Sequence, residues 1–146
     1  MKFNIILALF AATIALTNCS KDNKTMIVGK WTANSYTETQ YKNNLVEKVE
    51  TKYYSKSSTV EFTAEGTVII TNDVYNAKSG KYSILTDNKL SMTLDGSSSA
   101  DIYAITTLTS SELSLTETKQ GSTNEYKEYL TKYKKKKKKR FHLVIL

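Results

Sequence analysis

STVEFTAEGTVIIT, residues 58–71, decides the fold. Val60 and Phe62 point to one side of an extended chain, and Thr59, Glu61 and Thr63 point to the other. That alternation is the period of a half-buried strand. Ala64-Glu65-Gly66 then makes a turn, with Gly66 supplying the positive φ that a short loop needs. Thr67-Val68-Ile69-Ile70-Thr71 returns as the second strand of a hairpin.

The same pattern spreads outward in both directions. Downstream, GKYSIL (80–85) turns through Thr86-Asp87-Asn88 into KLSMTL (89–94), where Leu90, Met92 and Leu94 share a face. DGSSS (95–99) leads to DIYAITTL (101–108), and Ser110-Ser111 turns that segment into ELSLTET (112–118), in which Leu113 and Leu115 alternate with polar residues. EYKEYLTKY (125–133) closes the series. Upstream lie VGKWTANSYTET (28–39) and VEKVETKYYS (46–55). Thr, Tyr, Val and Ile dominate, proline is absent, and no helical period appears after the first twenty residues. About eight short antiparallel strands, each with one apolar face, predict an up-and-down barrel or a sandwich. A closed barrel removes sheet edges, and eight strands enclose room for side chains or one small ligand.

The first eighteen residues have a different character. Lys2 precedes an apolar run from Ile5 to Leu16, twelve residues broken only by Thr13. A bilayer-spanning helix needs about 20 apolar residues, so the run reads as the core of an export signal. Cys19, the only cysteine, follows directly and excludes an intramolecular disulfide. Three fates compete for it: a surface thiol left after cleavage near Thr13-Ile14-Ala15, an intermolecular disulfide, and lipidation. Leu16-Thr17-Asn18-Cys19 resembles a bacterial lipobox, with Asn18 standing where Gly, Ala or Ser is usual. The resemblance implies a multiply acylated Cys19, and several chains anchor stably where one does not. We therefore expect 1–18 to be a lipoprotein signal and 19–27 to be the lipidated cysteine and its tether.

The net charge of +7 says little about the domain. Of 21 basic residues, one is Lys2 and seven form Lys134–Arg140, which leaves 13 against 14 acidic residues for positions 19–133. A near-neutral domain offers no basic face for nucleic acid, and none is expected as a partner. The tail 134–146 ends in an apolar stub. It reads either as an electrostatic tether to anionic lipid or as a disordered extension not under selection. The expectation is that the barrel does not need it.

Gly29-Lys30-Trp31 at the start of the first strand matches the G-x-W of the lipocalin superfamily. VEFTAEGTV (60–68), GKYSI (80–84) and NKLSMTL (88–94) together resemble the lipocalin-like domains of bacterial lipoproteins. The resemblance covers residues 26–133. It implies an all-β, small antiparallel up-and-down barrel over 28–133, with Trp31 closing its bottom. It also implies non-catalytic binding of a small apolar or amphipathic molecule.

Catalytic chemistry finds little material. The only histidine is His142, in the tail, so the domain has no imidazole and no uncommitted thiol for nucleophilic catalysis. No zinc ligand set and no Gly-rich phosphate loop is present, and no cofactor is expected. Glu47/Glu50 and Glu125/Glu128 stand three apart, which places the members of each pair on opposite faces of a strand. Asp95, Gly96 and Asp101 lack the dense oxygen spacing of a calcium loop. The ten tyrosines are either half-buried sheet residues or ring surfaces for a ligand.

The residues expected to face the interior are Trp31, Val60, Phe62, Ile70, Tyr82, Ile84, Leu90, Met92, Leu113 and Leu115, as a ligand lining or as a packed core. The expected location is a bacterial cell envelope, on the outer membrane through Cys19. The alternative function is a structural or protein-interaction module with a filled barrel.

Overall fold

Asp22 opens the described part of the chain by capping one helical turn, α1 (Asn23–Ile27), its carboxylate accepting from the Lys24 amide. The computed structural model describes residues 22–55, 57–72, 77–85 and 88–135. The signal segment, Cys19 and the tail beyond position 135, His142 included, lie outside the described residues.

Among the described residues after α1 the regular elements are all strands: β1 (Gly29–Lys42), β2 (Leu45–Tyr53), β3 (Thr59–Phe62), β4 (Thr67–Thr71), β5 (Lys78–Leu85), β6 (Lys89–Leu94), β7 (Asp101–Leu108), β8 (Glu112–Gln120) and β9 (Glu125–Lys135). From β3 to β9 each strand pairs antiparallel with the next, and β9 returns to pair with β1 from Trp31↔Lys135 to Lys42↔Glu125. β3 pairs with the start of β1, and the sheet closes.

β2 does not add a ninth stave. β9 occupies one edge of β1, and β2 and β3 share the other: residues 35–42 pair with β2 and residues 29–32 with β3. β2 and β3 are therefore one stave broken at 54–58. Tyr54 N donating to Asn34 O and Ala33 N donating to Ser58 O bracket the break. The result is an eight-stave barrel, as the sequence predicts. One wall, made of β1, β2, β8 and β9, rises above the short strands β3 and β4.

The lower half is filled. Ile27, Trp31, Val60, Phe62, Val68, Tyr82, Leu90, Met92, Ile105, Leu113 and Leu115 form one buried cluster, with Ile70, Ile84, Leu94, Tyr103, Leu108 and Tyr133 packed against it. Phe62 meets Tyr82 edge-on at 4.9 Å, and the Tyr82 hydroxyl donates to Thr63 O at 2.7 Å. Burying each large side chain contributes about 1.5–3 kcal/mol, and this cluster is the main source of stability.

Two glycines answer to geometry. Gly66 has φ +81°, as its turn requires. Gly80 sits where any Cβ would run into the Thr93 carbonyl and Leu94 Cα, so it sets how closely β5 approaches β6.

Four features differ from the expectation. α1 is a helix where no helical period is visible, because a single capped turn is too short to show one. Its Ile27 is fully buried, so the end of the expected tether is part of the core. β1 runs on to Lys42 and turns through Asn43 and Asn44, both left-handed at φ 51° and 63°, a pattern suited to a two-residue hairpin. β9 runs to Lys135, two residues beyond the expected end of the barrel, so Lys134 and Lys135 belong to the sheet and not to the tail.

Candidate ligand-binding site

The register of the tall wall sorts the interior into three levels. Leu113, Leu115, Glu117 and Lys119 of β8 stand opposite Tyr133, Thr131, Tyr129 and Lys127 of β9. On β1, Tyr36 stands opposite Thr131, Glu38 opposite Tyr129 and Gln40 opposite Lys127. Leu113 and Leu115 are buried, so this whole face looks inward. From bottom to top it is apolar, then tyrosine, then charged.

The floor is Trp31. Its indole N–H donates to Ile27 O at 2.7 Å, which ties it to α1. The Lys135 ammonium lies 4.8 Å from the centre of the Trp31 ring and donates to Met26 O. The bottom of the barrel is thus shut by one strand end, one helical turn and one lysine.

Above the floor the tyrosines converge. Tyr36 stacks on Tyr129 with ring centres 5.7 Å apart and meets Tyr54 edge-on at 6.5 Å. Tyr103 and Tyr133 complete the group, Tyr133 from the level of Leu113. Burial raises the phenols of Tyr36, Tyr54, Tyr103 and Tyr133. Tyr36 is pushed up to about 12 by desolvation, then by Glu38 and its ring neighbours. Tyr103 reaches about 12 by desolvation, then by Glu117 and Asp101. Desolvation carries Tyr133 further still, and it raises Tyr54 against an opposing hydrogen bond from Thr131. A depression of about 230 Å³, lined by Tyr36, Lys52, Tyr53 and Tyr54, opens beside the lower end of β2.

The rim is paired charge. Lys127 bonds Glu38 at 2.8 Å, Lys119 bonds Glu117 at 3.1 Å, and Lys48 bonds Glu50 at 2.6 Å. Lys119 also lies 5.6 Å from the Tyr129 ring centre. The Lys127 ammonium holds the Glu38 carboxyl below the usual range. A second depression of about 300 Å³ lies at this level, between Tyr41, Tyr126 and Tyr129. Chemically, the upper half offers ring faces below and hydrogen-bonding charges above. That arrangement is chemically suited to an amphipathic molecule with its apolar part downward.

The lipocalin-like domain profile matches residues 27–115. The chain belongs to the lipocalin-like domain family. In overall shape this lipocalin-like domain is similar to apocrustacyanin C2, with a TM-score of 0.55 at 14% identity, over 80% of this chain and 64% of crustacyanin. The chain thus spans less than two thirds of that protein's length. Comparison with curated protein sequences gives no significant match.

Within the lipocalin-like domain, eight of the ten residues expected inside are buried: Trp31, Val60, Phe62, Tyr82, Leu90, Met92, Leu113 and Leu115. Ile70 and Ile84 are half-buried against them. They contact one another and form a packed core. Tyr82 and Ile84 also edge a groove of about 310 Å³ with Lys24 and Gly66 on the lower surface. Among the described residues no group of three or more His, Cys, Asp or Glu side chains converges, the Asp95–Asp101 loop included. Glu125 pairs with Lys42 and Ser122, while Glu128 accepts from Tyr41 at 3.0 Å.

The residues missed from sequence are Tyr36, Tyr54, Tyr103, Tyr129 and Tyr133, together with Lys135. The tyrosines stood only as an undivided set of ten, and no spacing within one strand shows that rings from β1, β7 and β9 and the segment after β2 meet. Lys135 was hidden in a lysine run.

Proposed function

We propose that this protein binds one small apolar or amphipathic molecule without catalysis, in the tyrosine-lined upper half of its barrel. The observation that carries the reading is the vertical order of side chains on the tall wall: filled apolar floor, tyrosine rings, charged rim. The ten core residues from Trp31 to Leu115 support the site from below. The wider reading is a bacterial envelope lipoprotein, held on the outer membrane by acyl chains on Cys19 with residues 20–22 as tether.

Organic extraction of the protein purified from its own host, followed by mass spectrometry, tests the binding claim. One amphiphile recovered per chain, and lost from Tyr36→Ala, supports it. An empty wild-type protein that also ignores added oleate contradicts it. Labelling with an alkynyl fatty acid tests the anchor: Cys19→Ser loses the label and leaves the membrane fraction. A chain that retains both overturns lipidation.

The second reading is an interaction module with a filled barrel. The complete packing of the lower half favours it, since nothing enters there. It predicts full function in Tyr36→Ala and no ligand in the extract.

A further inference from the structure

β2 is the one strand of the described residues with an open edge: its only partner is β1. It is nine residues long, Leu45-Val-Glu-Lys-Val-Glu-Thr-Lys-Tyr53, and almost wholly exposed. Leu45, Val46, Val49 and Tyr53 stand 71%, 57%, 57% and 80% in solvent. Long edges with apolar side chains are templates for another strand.

We propose that this edge pairs antiparallel with the β2 edge of a second copy of the chain, about a two-fold axis at Val49. The strand is self-complementary in that register. Val49 is its midpoint, so full overlap sets Val49 across from Val49 of the second copy. Lys48 then faces Glu50 of the second copy, and Glu50 faces its Lys48. Each chain already joins Lys48 to its own Glu50 at 2.6 Å. Two copies would therefore bring four alternating charges together. Shifting the axis one residue either way sets like charges across from each other: Lys48 on Lys48 at one side, Glu50 on Glu50 at the other. Like charges directly opposite oppose pairing. The bulge at Glu47, where Gln40 pairs with Lys48 but Tyr41 with Val46, confines the matched core to 48–50. The second copy is preferred over an unrelated strand because the charge order reads as its own complement. This inference does not depend on the ligand site.

Sedimentation equilibrium of the full chain in detergent tests it, with circular dichroism confirming that each variant folds. The wild type is expected to dimerise. Lys48→Glu and Glu50→Lys each weaken the dimer about tenfold, and the double exchange restores it. Oxidised Val49→Cys links two copies through position 49, and peptide mass mapping separates that link from any through Cys19. A wild type that stays monomeric, a dimer indifferent to both exchanges, or no 49–49 link overturns the proposal.

Discussion

Trp31 and Tyr36 stand on the same strand and face the same interior, yet they live in different environments. Trp31 has no exposed surface and is held by Ile27 O and Lys135. Tyr36 is half-buried among other tyrosines and borders an open depression. Below, eight staves surround the axis and every side chain meets another. Above, β3 and β4 have ended, while β1, β2, β8 and β9 continue and the start of β7 runs beside β8 to bring in Tyr103. The difference teaches that unequal strand length, not a gap in the core, creates the space in this barrel. Stability is thus seated in the lower level of the sheet, and the proposed binding in the upper.

Mutations at the two levels should separate accordingly. Phe62→Ala and Trp31→Ala should each cost about 3–5 kcal/mol in denaturant unfolding. Tyr36→Ala should cost only about 1 kcal/mol, because its ring partners remain exposed to water on one side. Equal losses would break the comparison. Gly80→Val should cost about 1–3 kcal/mol or more, since the added carbons meet backbone that cannot give way. Lys135→Met should cost about 1–2 kcal/mol through its lost contacts with Trp31 and Met26 O. A chain ending at Lys135 should be as stable as the full chain, and one ending at Tyr133 clearly less so.

The gentlest test is pH. The upper phenols are neutral in the fold and have raised values, Tyr36 and Tyr103 about 12 against 10 for a free tyrosine. A raised value means the unfolded chain loses these protons first. The contribution is whole below pH 10 and falls away as pH climbs toward about 12. Tyr103→Phe should flatten that decline and leave neutral stability nearly unchanged, as read by unfolding at a series of pH values.

The lower half was legible in the sequence because its strands are half-buried. Val60/Phe62, Leu90/Met92 and Leu113/Leu115 alternate against polar neighbours, and that contrast fixes both the strand and its face. The upper half lacks contrast. β2 is exposed on both faces, so its residues carry no alternation to mark the stave it continues. Tyrosine is amphipathic and serves either face equally well. Which tyrosines meet depends on register between strands far apart in the chain, and the bulge after Ala33 resets that register within β1. Asn43-Asn44, both left-handed, carries the signature of the β1–β2 hairpin, although the expected first strand stopped at Thr39. Lys135 was not legible, since nothing local distinguishes it from the lysines around it.

The most direct test of the central claim is an NMR titration of the isotope-labelled full chain with anilinonaphthalene sulfonate, an aromatic amphiphile. The account predicts saturable shifts at Tyr36, Tyr54, Tyr103 and Tyr129, with Phe62, Leu90 and Met92 unmoved. Shifts centred on Phe62, Leu90 and Met92 would place the ligand in the lower half and contradict the division of the barrel into a filled floor and a binding level above it.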